Sequence, residues 1–413
     1  MSAPKKQETA NGWVAARRDH ATVWFIDLWT GKKALQIACR KSPNAPQAPV
    51  LGTALSIVAT PDVEGLLWLD SMTVRSAPTS ADIFRTPLSR KDLSSEDVMN
   101  RRHLWARNPT FAAIARYRDD LLWATRSWFR SQGFTEVTPP ILTPVTLYDS
   151  STAVPIAVNG ESVFLTQCTA YYLEALSLGM GPVLAIGPSF RGAESRSRRH
   201  LVEYTHIKAE APFMTLDDGR ILVETWIAHL IEQLTAIHQA LPDPVRPAKL
   251  PPAPPYRVMT HREAADILHA AGCALPENHA IGSSEEEQLS KLVGAPFWIA
   301  YPPADTEPFP YALKADDPTR VLVADLIAND GFGEILGLAQ KHQSLDELVG
   351  RMGADGRDQD PAYAFVKETI AFGAPPRIAF GAGVERLIRW MLQLDHVKDA
   401  IPFPRVIRRR IYP

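Results

Sequence analysis

The chain has 413 residues, 46% hydrophobic and 22% charged, with a formal net charge of −2. That length suits two to three domains, and the composition excludes long disorder, collagen-like repeats and a disulfide scaffold. Three widely spaced cysteines (Cys39, Cys168 and Cys273) form no CxxC pair and read as reduced thiols of a cytoplasmic protein, not a zinc site. No apolar run approaches the roughly 18 residues that cross a membrane, and MSAPKKQETANG has no apolar core for a signal peptide.

From Gly12 to about Ser76 the pattern is β: GWVAARR, ATVWFIDLW, KALQIACR, ALSIVATP and LLWLDSMTVRS alternate with turn residues. Five such strands predict a small barrel. Residues 77–109 are polar, of mixed charge and broken by prolines, and read as a linker. The period then changes. FAAIARYRDDLLWATRSWFRSQGF has apolar residues at helical spacing and closes on Gly133. EVTPPILTP is extended, SVFLT and VLAIG read as strands around the helix YYLEALSLG, and RILVETWIAHLIEQLTAIHQAL is a long amphipathic helix. LPDPVRPAKLPPAPP is a stiff connection. HREAADILHAAG reads as a helix, PFWIAYP, RVLVADLI and EILGLAQ as strands, and VERLIRWMLQL as a final helix. Residues 110–413 are therefore α+β around a mixed or antiparallel sheet, and neither GxxxxGK[ST] nor GxGxxG occurs.

Three segments could carry chemistry. GPSFRGAESRSRRHLVEY (residues 187–204) holds Arg191, Arg196, Arg198 and Arg199 with Glu194, His200 and Glu203. The planar guanidinium fork suits phosphate oxygens, although such a run also serves as a solvated hairpin tip. VADLIANDGFGEILG places Asp325 and Glu334 on adjacent strands, where two carboxylates beside a polyphosphate would hold magnesium. IAFGAGVERLIRW runs from a strand through a glycine-rich turn into a helix that carries Glu385 and Arg386. Its small residues let a ligand approach the backbone.

In this order the three resemble the signature motifs of the class II aminoacyl-tRNA synthetases, and most closely the aspartyl/asparaginyl subgroup. GFTEVTPPILTP looks like motif 1, with Pro140 in the proline position; FRGAESRSRRHLVEY looks like motif 2; FGAGVERL and IPFPR look like motif 3 and the family's ending. The resemblance covers nearly the whole chain. It implies an antiparallel sheet flanked by helices over residues 110–413, preceded by an OB-fold anticodon-binding-like barrel over residues 1–76, and a homodimer.

The resemblance also implies roles. Arg191 grips the α-phosphate of ATP. Glu194, His200, Glu203 and Tyr204 bind ATP, with the Tyr204 ring under the adenine. Arg386 stacks over the adenine and reaches the γ-phosphate, and Asp325 and Glu334 hold Mg2+. Phe25 and Gln36 match a base-stacking phenylalanine and a base-reading glutamine. The acid of the family's Arg-x-Glu is shifted here: Ala193 fills its place and Glu194 follows.

The amino-acid pocket departs further. The family's Ser-x-Gln aligns with Cys168-Thr169-Ala170, and Ala170 cannot bind an α-amino group. An acid after motif 2 becomes Lys208, the arginine after the magnesium glutamate becomes Lys341, and a histidine before motif 3 becomes Arg377. Lysine does not replace a bidentate arginine. These departures lead to an expectation of an AMP-forming ligase that activates a small carboxylic or amino acid. It would pass the acyl group to a non-tRNA amine or ammonia, and its acid, other than standard aspartate or asparagine, would lack a free α-ammonium or carry an extra anionic group facing Lys208, Lys341 or Arg377. Two alternatives stand beside it: an aspartyl- or asparaginyl-type enzyme charging tRNA, and a catalytically silent RNA-binding paralogue.

Overall fold

The structure, a computed structural model, describes residues 6–79, 90–148, 150–192, 198–243, 245–273, 275–276, 278–354 and 356–412. The chain divides into two compact units. One comprises Met1–Arg116, Leu241–Val245 and Tyr412–Pro413, and the other Tyr117–Ala240 and Arg246–Ile411.

The first unit is built on a closed five-stranded barrel: β1 (Glu8–Asp19), β2 (Val23–Trp29), β3 (Ala34–Arg40), β4 (Ala54–Pro61) and β5 (Leu67–Ser76), in the order β1-β2-β3-β5-β4. Alternation sets the faces, because side chains two apart on a strand share one face. In β2, Trp24, Ile26 and Leu28 point inward and meet Ile37, Leu55 and Ile57 in the barrel core. Residues 90–105, part of the polar segment read as linker, form three short helices that bury Leu93, Val98, Met99 and Trp105.

The second unit is built on an eight-stranded sheet. Its strands are β6 (Thr135–Glu136), β10 (Val183–Phe190), β11 (Glu203–Pro212), β12 (Arg257–Thr260), β13 (Phe297–Ala300), β16 (Val323–Ala328), β17 (Gly333–Gln340) and β18 (Arg377–Gly383). Their spatial order is β12-β13-β16-β17-β18-β11-β10-β6, and the five central pairings from β13 to β10 are antiparallel. A three-stranded sheet of β7 (Leu142–Thr143), β8 (Val154–Val158) and β9 (Glu161–Leu165) and the pair β14 (Leu313–Lys314) with β15 (Asp317–Val321) complete the strands. The α+β architecture with an antiparallel sheet therefore stands. Sequence periodicity missed β8, β12 and the helices Ser283–Val293, Leu345–Ala354 and Ala364–Ala371. SSEEEQLSKLV has few apolar residues and LDELVGRMGA two glycines, so their apolar stripe is thin.

Alternation gives the large sheet two unlike faces. Ile207, Ala209, Leu336, Leu338, Phe380 and Ala382 occupy one and are buried. The helices Pro109–Ser131 and Leu216–Ala240 cover it, and Phe129, Trp226 and Phe380 contact one another at ring-centroid distances of 5.5–5.8 Å. Burying each such side chain contributes about 1.5–3 kcal/mol. Gly219 lets the second helix lie close to the sheet, since a Cβ there would sit 2.9 Å from Leu338 Cδ1. The opposite face is polar and carries the site.

Candidate active site

Pairing register builds the floor of the site. One row across the sheet runs Asp325, Gly337, Gly381, Lys208. The next row on the same face runs Val323, Ala339, Ala379, Glu210. Glycine and alanine in the central strands leave a trough, and the charged side chains stand at its sides. A Cβ at Gly337 would lie 3.0 Å from Asp325 Oδ1, and one at Gly381 2.5 Å from Lys208 Nζ. Both charged groups thus lean over the neighbouring glycine. The cavity above has a volume of about 260 Å³.

At one end the charges are paired. Arg386 opens the helix Val384–Met391 and donates from Nη1 to Glu334 Oε2 at 2.9 Å. Glu385 is buried, accepting from Arg118 Nη1 at 2.8 Å and from the Thr205 amide at 3.0 Å. Arg199 pairs with Glu286 and donates to Ser283 Oγ, while Glu286 also accepts from the Glu334 amide at 2.9 Å. Arg199 lies against Gly333, whose φ of 71° and missing Cβ make room for the guanidinium. Arg191 and His200 line the same cavity. Burial pushes the His200 imidazole down to about 4, helped by Arg386, Arg191 and Arg199, so it is neutral at pH 7 and offers hydrogen bonds, not charge.

Asp325 is the exception at this end. Burial pushes its carboxyl well above the usual range, and Glu334, Glu307 and Glu286 add to the effect. Among the described residues no group of three or more His, Cys, Asp or Glu side chains is placed to hold a metal. The pair Asp325 and Glu334 nonetheless fits an ion that keeps several waters and shares phosphate oxygens. A cation there would relieve the repulsion that raises Asp325.

The other end is different. Lys208, Lys341, Ala170, His206, Tyr311 and Ala379 line it. Lys341 Nζ stands 5.4 Å from the Tyr311 ring centroid. Glu210 is fully buried beneath, its carboxyl pushed up to about 8 by burial against the pull of Lys341 and Lys208.

Of the residues singled out from sequence, Arg191, His200, Tyr204, Asp325, Glu334, Arg386, Ala170, Lys208 and Lys341 all line this one cavity. Three do not. Arg377 was expected to face the substrate, but it is 1% exposed. It pairs with Glu174 of the helix Ala170–Met180, and its Nε lies 3.4 Å from Glu210. The helix packs on β10 and β11, and its Glu174 reaches Arg377 at the start of β18, so the cation serves a buried network. Cys168 is buried among Leu147, Tyr171 and Phe309 in an apolar cluster behind the wall. Glu203 is exposed at the start of β11 and lies off the cavity lining. Glu194 lies outside the described residues.

Periodicity missed other lining groups. Gln167 accepts from the Tyr148 amide at 3.2 Å and donates to Thr152 Oγ1 at 2.9 Å. Glu307 lines the cavity, with its carboxyl pushed up to about 7 by burial and by Glu334.

On the barrel, Phe25 and Gln36 lie on the outer face. Phe25 pairs with Ala38 and Asp27 with Gln36, which makes Phe25 and Gln36 diagonal neighbours. Phe25 is half-buried, 5.8 Å from the His20 ring, and Gln36 is exposed. Trp24, one residue along, is the core aromatic.

The profile of the tRNA synthetases class II (D, K and N) matches residues 94–407. An asparagine–tRNA ligase of Thermococcus gammatolerans is 32% identical, covering 97% of this chain and 95% of its own length. One of Thermoplasma acidophilum is 28% identical, covering 96% and 95%. Among solved structures, the asparaginyl-tRNA synthetase of Pyrococcus horikoshii complexed with asparaginyl-adenylate superposes with a TM-score of 0.91 at 27% identity, over 99% of this chain and 96% of that one. These relatives correct the expectation of a non-tRNA amine or ammonia as acceptor. The likeness runs through the barrel as well as the catalytic sheet, and the proteins that share it are tRNA ligases. The chain belongs to the class II tRNA synthetases of the D, K and N group, and is an AMP-forming ligase.

Proposed function

We propose that the chain charges tRNA with an amino acid of the aspartate–asparagine size class, by way of an aminoacyl-adenylate formed from ATP. The observation that carries this reading is the convergence of Arg191, Arg386, Asp325 and Glu334 on one glycine-floored cavity. In the first step a carboxylate oxygen of the amino acid attacks the α-phosphorus of ATP. A new O–P bond forms, the bond to the bridging oxygen breaks, and pyrophosphate leaves. In the second step a terminal hydroxyl of the tRNA attacks the acyl carbon, and AMP leaves.

Neither step needs a nucleophilic side chain, because the catalysis is positioning and charge neutralisation. Arg191 and Arg386 present planar forks to the phosphates. Neutral His200 adds a hydrogen bond without adding charge. The Tyr204 ring, beside His206 at 5.4 Å, offers a stacking face for the adenine. Asp325 and Glu334 would hold Mg2+, which neutralises phosphate charge when bound.

The outer-face pair Phe25 and Gln36 suits a stacked, edge-read base of single-stranded RNA, and residues 1–76 are proposed as the tRNA-reading domain, with residues 77–109 as linker and residues 110–413 as the catalytic domain. A homodimer through the Pro109–Ser131 helix and the strand after it is supported by exposed Trp123, Ile141 and Leu142, and the tRNA partner puts the protein in the cytoplasm. No helix among the described residues is long and apolar enough to cross a membrane. ATP–pyrophosphate exchange and charging of total tRNA test the proposal together. Exchange with aminoacyl-tRNA formed is expected, and exchange without any charged tRNA would overturn the tRNA assignment.

A further inference from the structure

Residues 144–148 belong to no helix or strand, yet they supply Leu147 and Tyr148 to the cavity wall. Their carbonyls show how the segment is held. Arg357 Nη1 donates to Thr146 O at 3.3 Å and to Leu147 O at 3.1 Å, and Nη2 donates to Tyr148 O at 2.8 Å. One planar fork thus spans three successive carbonyls, which a lysine cannot do. The Tyr363 hydroxyl donates to Thr146 O at 2.6 Å and accepts from the Thr146 amide at 3.1 Å. The guanidinium also lies 5.5 Å from the Phe309 ring centroid and 5.8 Å from that of Tyr363. No carboxylate pairs with Arg357 among the described residues, so its charge is spent on this segment. Arg357 is itself anchored. Its amide donates to Met352 O at 2.9 Å, in the helix Leu345–Ala354, and the next residue's carbonyl, Asp358 O, accepts from Lys367 Nζ at 2.7 Å.

The segment closes one end of the cavity. Val145 and Leu147 pack with Cys168, Ala170 and Tyr171, and the Tyr148 amide donates to Gln167 Oε1. Tyr148 lines the cavity, and no hydrogen bond engages its hydroxyl among the described residues. Burial, with Cys168 and Glu334 adding to the effect, raises its phenol above the usual range, so the hydroxyl keeps its proton and can donate.

We propose that Arg357 is a positioning residue: it fixes residues 144–148 as a wall that stands before substrate arrives and presents the Tyr148 hydroxyl to the bound amino acid. Ordering a free segment at the moment of binding would cost conformational entropy, and a wall already held by three carbonyls spares that cost. The inference rests on the adenylate-forming reading only for what the wall meets; that the wall stands is independent of it.

The test is hydrogen exchange of the full chain, read by mass spectrometry over the peptide that covers residues 144–148. Without ligand, Arg357→Ala is expected to exchange there about 10-fold faster than the wild type or more. Adding aspartate or asparagine, with an ATP analogue that cannot be cleaved between its α- and β-phosphates, should change wild-type protection about twofold or less. Equal exchange in wild type and variant would overturn the inference. So would a gain in wild-type protection of about 10-fold on adding those ligands, the mark of a lid that closes. Arg357→Lys, which keeps the charge and cannot bridge three carbonyls, is the second variant should thermal melting show the first to be unfolded, and it is expected to fall between. Pyrophosphate exchange then reads the positioning: in Arg357→Ala the KM for the amino acid should rise about 10-fold, with kcat and the KM for ATP changed about twofold or less. Equal rises in both KM values would reduce Arg357 to a structural role and overturn the positioning. A wild type that exchanges pyrophosphate with no amino acid would sink the adenylate reading, and hydrogen exchange would still decide the wall.

Discussion

The two ends of the cavity handle charge in opposite ways. At the phosphate end three arginines are each fixed by a carboxylate: Arg386 by Glu334, Arg199 by Glu286, and Arg118 by Glu385 behind the wall. At the other end Lys208 and Lys341 form no ion pair among the described residues; Lys341 stands 5.4 Å from the Tyr311 ring centroid, with Glu210 buried beneath. Paired guanidiniums hold their geometry before any ligand arrives, which is what electrostatic stabilisation of a phosphoryl transfer requires. Ammoniums held only by a ring face and a buried carboxyl are less firmly oriented than a paired guanidinium.

Four experiments break or sharpen that contrast. Arg386→Ala should have the largest effect, lowering pyrophosphate exchange by about a thousandfold because it frees Glu334 into the cavity; near-wild-type exchange would remove the phosphate assignment. Arg377→Met should cost about 3–5 kcal/mol of folding stability in chemical denaturation, since it strands Glu174 and Glu210 in the interior. Replacing Arg377 and Glu174 together should cost far less, because the partner is no longer orphaned.

Gly381→Ala comes next. Its Cβ would meet Lys208 Nζ at 2.5 Å and His206 Nε2 at 2.7 Å, so the KM for the acid should rise about 10-fold and that for ATP about twofold or less. Equal changes in both would show that the ends are not separable. The smallest effect is on pH dependence. His200 and His396 are both pushed down to about 4, chiefly by burial, against an unfolded value of 6.5. Below pH 6.5 the unfolded chain therefore binds more protons than the folded one. Stability contributed by the neutral imidazoles is complete above pH 6.5 and is lost toward pH 4, and a falling Tm across that window checks it. His200→Gln should flatten the slope.

The barrel was legible because strict alternation over short, turn-bounded runs has one structural solution, and Phe25 shows its limit. Sequence placed an aromatic in a strand equally well in the core or on the surface; only the register, which turns Trp24 inward, decides. The phosphate end was half legible. Arg191 and Arg386 lie in segments whose own pattern points to anions, whereas Glu286 belongs to a polar helix whose partner Glu334 is 48 residues away, and no local signal links them. Arg377 was misjudged for a related reason. Its place on β18 is on the cavity face, as the two-residue period requires, but Glu174 from a distant helix and Glu210 from the neighbouring strand engage it, and such partners are not written in one strand. Lys208 and Lys341 were legible as charge departures, and the Tyr311 ring beside Lys341 became visible only with the fold.

The sheet beneath the cavity has a further property in its margins. Its outermost strands are Thr135–Glu136 on one side and Arg257–Thr260 on the other, two and four residues long. Neither exposes a long row of free amides and carbonyls, and the barrel, being closed, has no margin at all. Natural proteins blunt sheet edges in just these ways to avoid templating foreign strands. In this chain the folded state should therefore resist fibril growth by strand addition, and concentrated solutions should lose protein only through conditions that open the sheet.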